Sequence, residues 1–133
     1  MRRRSVYFTV KRSRLIPMMM VLDWPEALNS MASRPTTTIA PQALLFLNSA
    51  EARQYAEAFS QRLTAGSVSE SIDRGYQIAF GRSPTPSESK LAESFIETQA
   101  HRYEQDKKAN PRSVAMTDFC QSLMSANEFI YVE

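Results

Sequence analysis

Apolar residues recur at helical spacing through most of the second half of the chain. Ala52, Tyr55, Ala56, Phe59 and Leu63 follow one another at steps of about three and four, which predicts an amphipathic helix. Ile72, Tyr76, Ala79 and Phe80 make a second stripe. Leu91, Ala92, Phe95, Ile96 and Tyr103 make a third, and Met116, Phe119, Cys120, Leu123 and Met124 a fourth. The polar residues between them read as helix punctuation. Asn48 with Glu51 has the spacing of an N-cap and its reciprocal partner, and Ser67 with Glu70 repeats it. Thr85, Pro86 and Glu88 supply an N-cap, a first-position proline and a capping-box acid. Gly66 and Gly81 stand where the first two helices should stop, and Asn110–Pro111 divides the third from the fourth. Pro41 suits a first helical position, with a turn or two over Ala43–Leu47.

The first 40 residues follow another pattern. Ser5–Val10 is β-branched and aromatic, which predicts a short strand. One strand cannot stand alone, and Phe129–Val132 is its candidate partner. Pro17, Pro25, Pro35 and Pro41 punctuate the segment from Leu15 to Pro41, which reads as irregular and extended. The expected architecture is therefore mainly α. It is a small bundle of about four amphipathic helices, with a short N-terminal strand and an extended Pro-rich segment. Residues 1–40 form the basic strand and Pro/Met-rich segment. Residues 41–133 form the helical domain, one structural unit and a fragment of a larger domain. The aromatic tail, ending on Phe129–Ile130–Tyr131–Val132–Glu133, is expected to pack rather than trail.

Composition narrows the chemistry. At 133 residues the chain makes one domain at most, and a hydrophobic fraction of 43% supports a core. A single cysteine, Cys120, excludes an internal disulfide framework and a Cys-based zinc site. A single histidine, His101, excludes haem attachment and a multi-His metal site, so no cofactor is expected. The net charge of +2 conceals an asymmetry. Arg2, Arg3, Arg4, Lys11, Arg12 and Arg14 stand without an acid among the first 14 residues, while the rest carries 10 basic against 14 acidic residues. Leu15–Leu22 is too short, and too interrupted by Pro17, to span a membrane. No clean secretory signal is present, so the chain as written reads as cytosolic or as a fragment of a longer exported protein.

The candidate reactive groups read as structural. Cys120 sits inside an apolar stripe with no base spaced to activate it. His101 falls among Gln99, Arg102 and Glu104 on a polar helix face. Asp73, Arg74, Arg82 and Glu88 surround the Gly81 turn, where Glu88 caps a helix and Arg82 can bridge to Asp73 or Glu88. Gly81, Arg82, Thr85 and Glu88 are thus expected to build a turn, not a catalytic pair. The basic strip could bind phosphates, but Tyr7 and Phe8 point to opposite faces of a strand and cannot form one stacking platform. Solvated charge or an acidic partner is the stronger reading, and nucleic-acid binding the weaker. Tyr7, Met18, Met19, Met20 and Trp24 are the candidate contacts for another protein domain.

One resemblance covers nearly the whole chain in order. It runs through Arg3–Tyr7, Pro17–Met18, Asp23, Thr37–Leu44 and Leu47–Ser49. It continues through Ile72–Arg74, Phe80–Pro86 with Glu88, and Ser125–Val132. These stretches resemble the later part of the planctomycete-type PSD domain of unknown function fifteen-fifty-three. The resemblance implies the C-terminal module of large exported proteins, many of which also carry a cytochrome c domain. That family domain extends upstream of Arg3, so this chain is expected to correspond to its C-terminal part, from a truncated gene or a late start. Since the chain has no Cys-x-x-Cys-His, a haem role does not follow. The family's activity is not established, so no catalytic residue is carried over. The expected function is a non-enzymatic accessory or protein-interaction module. The alternatives are a fragment of an envelope enzyme, with Asp73, Arg82, Glu88 or His101 in a site completed upstream, and a small nucleic-acid-binding protein.

Overall fold

A computed structural model describes residues 7, 9, 11, 16–21, 40–63 and 66–130, without the side chains of 17, 18 and 40–43. In chain order the helices are α1 (Pro17–Val21), α2 (Ala40–Asn48), α3 (Ala50–Ser60), α4 (Val68–Phe80), α5 (Pro86–Gln105), α6 (Pro111–Met124) and α7 (Asn127–Ile130). The architecture is mainly α, and no strand occurs among the described residues. The chain divides into two compact units, Met1–Gln42 and Ala43–Glu133.

In the first unit, the strand expected over Ser5–Val10 lies mostly outside the described residues. Its two described positions do not support it, because Tyr7 is in a 3-10 turn and Thr9 has no regular structure. The methionine run is not irregular either. Pro17 opens the five-residue helix α1, where the missing amide of proline costs no hydrogen bond. The tail is corrected as well. Phe129 and Ile130 are helical in α7, with Phe129 and Ile130 amides donating to the Ala126 carbonyl, and 131–133 lie outside the described residues.

In the second unit α6 is the central helix, packing against α3, α4, α5 and α7, most extensively against α5. The core gathers Ala56, Leu63, Ile72, Tyr76, Ala92, Ile96, Ala100, Ala115, Phe119, Cys120, Leu123 and Met124. Alanines supply much of it, and their small side chains let helix backbones approach closely. Gly75 on α4 serves the same end: a Cβ there would lie 3.2 Å from Phe119 Cε1 and 3.3 Å from Leu123 Cδ1. The predicted stripes hold with two exceptions. Tyr55 and Leu91 are exposed, pointing away from the core their spacing suggested.

The helix starts follow capping chemistry. Ser67 and Glu70 form a reciprocal capping box on α4, and Thr85 and Glu88 form another on α5. Gly81 ends α4 with φ of 73°, a left-handed conformation that glycine adopts without steric cost. The start of α3 differs from expectation by one residue. Ser49, not Asn48, accepts the Ala52 amide at 3.0 Å, while the Asn48 side chain donates back to the Leu44 carbonyl. Nor does Gly66 stop α3. That helix ends at Ser60, and its chain continues through a turn that buries Leu63.

Candidate functional site

The helical unit carries an open groove of about 380 Å³ built from α4, α5, α6 and the α7 segment. Its walls are mostly apolar. Tyr76 and Phe80 come from α4, Leu91 and Phe95 from α5, and Phe119 and Leu123 from α6. Tyr76 and Phe80 meet edge-on with ring centroids 5.3 Å apart, and Tyr76 lies 6.4 Å from Phe119. Leu91 lines the groove with 73% of its surface exposed, the most exposed of the described large apolar side chains of this unit.

Local sequence explains why the groove stays open. On α5 the residues Ala92, Ile96 and Ala100 turn into the core. Leu91 and Phe95 sit one position earlier, about 100° round the helix, in a second apolar row. Large side chains in that row widen the apolar arc beyond what the packing against α6 consumes.

An ionic cluster closes one end. Arg82, just after the Gly81 turn, donates from Nη1 and Nη2 to both Glu88 oxygens at 3.0 and 2.9 Å. It also donates from Nε and Nη2 to both Glu128 oxygens, each at 2.8 Å. The guanidinium lies 5.5 Å from the Tyr76 ring centroid and 5.7 Å from that of Phe80. Glu88 therefore has two duties, closing the capping box of α5 and holding Arg82. Arg82 and the Thr85 donors push its carboxyl down to about 2. Arg82 likewise lowers Glu128, whereas burial is the main cause that raises the Tyr76 phenol.

The sequence candidates are distributed unevenly around this site. Glu88 lines the groove, and Arg82 and Thr85 contact it. Asp73 does not join them, since its carboxylate accepts from Gln77 on its own helix. His101 is on the exposed face of α5, beside Gln105. Cys120 is fully buried, and burial pushes its thiol up to about 12, far from the thiolate a nucleophile needs. A carboxyl held near 2 is likewise a poor proton acceptor at neutral pH, so Glu88 is unsuited to general-base work. In the first unit Tyr7 and Met20 are exposed and Met19 is half-buried. The Met18 side chain and all of Trp24 lie outside the described residues.

Sequence reasoning missed Leu91 and Phe95 as groove residues, because a helical stripe was assigned wholesale to the core. The available signal was the doubled row, Leu91/Phe95 beside Ala92/Ile96. Glu128 was also missed; it is one of two acids, with Glu133, in an otherwise apolar and uncharged tail.

Among the described residues no group of His, Cys, Asp and Glu is arranged to hold a metal ion, and no helix is long and apolar enough to cross a membrane. No curated protein and no solved structure matches the chain. The family comparison does find a match, and it stops short of the Ser125–Val132 tail that contributed to the resemblance. Residues 1–96, well over half of the chain, match PSD1, Protein of unknown function (DUF1553), and the chain belongs to that family.

Proposed function

We propose that this chain is a non-enzymatic protein-docking module and that the groove of its helical unit is the docking surface. The observation that carries the reading is Leu91, which is mostly exposed beside the apolar walls of Phe80 and Phe95. Helix-lined apolar grooves of this size commonly take the anchoring side chains of a partner segment. The buried Cys120 thiol and the locked Glu88 carboxyl argue against nucleophilic or acid–base chemistry at the same place. Tyr7, Met18, Met19, Met20 and Trp24 belong to this reading as a further contact offered by the N-terminal unit, and the exposure of Tyr7 and Met20 supports it. The reading also takes the chain as the C-terminal part of the family domain, working in planctomycete-type, cytochrome-linked envelope assemblies.

A photo-crosslinking residue placed at Leu91, compared with one at Glu57 on the exposed face of α3, tests the docking surface in cells. Discrete adducts from Leu91 and none from Glu57 are expected. Identical adduct patterns from the two positions would overturn the reading.

A further inference from the structure

We infer that the groove takes a polypeptide segment bearing apolar anchors next to a lysine or arginine, with that cation landing on Glu128. This deepens the docking reading above and rests on it.

Donors and acceptors at the ionic end of the groove are unequally used. A guanidinium offers five N–H donors and no acceptor. Arg82 spends Nε on Glu128, one Nη on Glu88 and the Ser83 carbonyl, and the other Nη on Glu88 and Glu128. All its donors are used. A carboxylate accepts at about four lone-pair sites. Glu88 accepts four bonds, two from Arg82 and two from the Thr85 amide and hydroxyl, three of them on Oε2 and one on Oε1. Glu128 accepts from Arg82 alone among the described residues, which leaves about half of its acceptor capacity open. Its side chain is 46% exposed and lines the groove.

Charge points the same way. The cluster sets two carboxylates against one guanidinium, so it carries one net negative charge. An anionic partner would meet that charge and find no free donor, while a cation would find an open carboxylate. Tyr76 and Phe80 present ring faces at this end that already favour a positive group. The unit that holds the groove, residues 43–133, carries nine basic and twelve acidic residues, a net −3 against +2 for the whole chain. The remaining walls are apolar, so the cation must come on a segment that also brings hydrophobic anchors.

Three fluorescein-labelled peptides test this against the full chain by fluorescence polarisation. Each is an amphipathic helix with leucines at i, i+3, i+4 and i+7. They differ only at the flanking positions, which carry lysine, glutamine or glutamate. The lysine peptide is expected to bind about fivefold more tightly than the glutamine peptide, and the glutamate peptide more weakly than either. The differences should shrink in about 1 M salt. Glu128→Gln should bring the lysine and glutamine peptides together, with helicity by circular dichroism unchanged. If the three peptides bind the unmodified chain equally, and Leu91→Glu abolishes all three, docking stands and the cationic inference falls. If none binds, or Leu91→Glu changes nothing, both fall. A concentration-dependent dimer that the lysine peptide does not dissociate would also overturn the inference, because it assigns the groove to a second copy.

Discussion

Two faces of α6 are built on opposite rules. Against α3 the seam is closed. Ala52, Ala56 and Ser60 are buried on the α3 side, and the Ser60 and Thr117 hydroxyls meet at 3.2 Å. Arg53 pairs there with Asp118 and donates to Gln121 at 3.0 Å. Tyr103 donates to the other Asp118 oxygen at 2.5 Å, and the Gln121 amide caps the Phe46 and Leu47 carbonyls. Toward α4, α5 and α7 the helix also packs closely, most extensively against α5, but a groove stays open there, walled by aromatic rings and closed at one end by Arg82 with Glu88 and Glu128. Each face has an arginine–carboxylate cluster, so the cluster is not what separates them. Side-chain size is. Small residues line the α3 seam throughout, while beside the packed cores of α4 and α5 a row of bulky side chains walls a space that a partner can fill.

The largest effect is expected where the core and the groove wall depend on one residue. Phe119 is buried, touches the Gly75 approach and lines the groove. Phe119→Ala should cost about 3–5 kcal/mol in denaturant unfolding, because it removes a large buried ring and leaves a cavity. A cost below about 1 kcal/mol would mean that the groove wall collapses to fill the space. The next largest effect tests closure at the seam. Ala56 is fully buried, and the packing of α3 is against α6. Ala56→Leu should cost about 1–3 kcal/mol through overpacking. A neutral result would show that the seam has slack, and the contrast between the two faces would fail.

The same contrast explains what could be read in advance. The caps at Ser67/Glu70 and Thr85/Glu88, the Gly81 stop and the stripe through Ile72 and Tyr76 were legible, because each is a local pattern with a local cause. The seam was legible only in part. Ala52 and Ala56 marked a face, but Ser60 and Thr117 are polar and their burial depends on finding each other across 57 residues of sequence. The groove was not legible. A helical period says that Leu91 and Ala92 lie on neighbouring rows, not which row a partner helix will cover. Glu128 shows the same limit, since its bonds to Arg82 join residues 46 apart in sequence. The tail misled through composition: aromatic and β-branched residues suggested a strand, while the Ala126 carbonyl captures the chain into a helical turn.

The ionic end of the groove should show itself in acid. The Glu88 carboxyl lies at about 2 in the folded chain against an ordinary value of 4.5, with Arg82 the main cause. Its folded value is the lower one, so its contribution is fully present above 4.5 and is lost as pH falls toward 2. Glu128 is shifted in the same direction by the same arginine. The melting temperature should therefore fall through this window, and Glu88→Gln should flatten that fall while lowering the melting temperature at neutral pH. Because the pair is solvent-accessible, added salt should reduce the difference between the two proteins. Superimposable profiles below pH 4.5 would show that the cluster does not hold the open face together.

The smallest effect on stability belongs to the residue that most defines the open face. Leu91 is 73% exposed, so Leu91→Ala removes little buried surface and should change stability by less than about 0.5 kcal/mol. At the closed seam a substitution of comparable volume at Ala56 should cost several times more, and the ratio of the two measures how differently α6 uses its faces. The exchange of Leu91 replaces a γ-branched residue by the best helix former, so propensity alone gives no reason for α5 to weaken. A loss above about 2 kcal/mol would mean that Leu91 is covered in solution by this chain itself, and that the groove is filled rather than open. A negligible loss in unfolding, together with fewer adducts from a crosslinker at the neighbouring Phe95 position, would assign Leu91 to the partner and not to the fold.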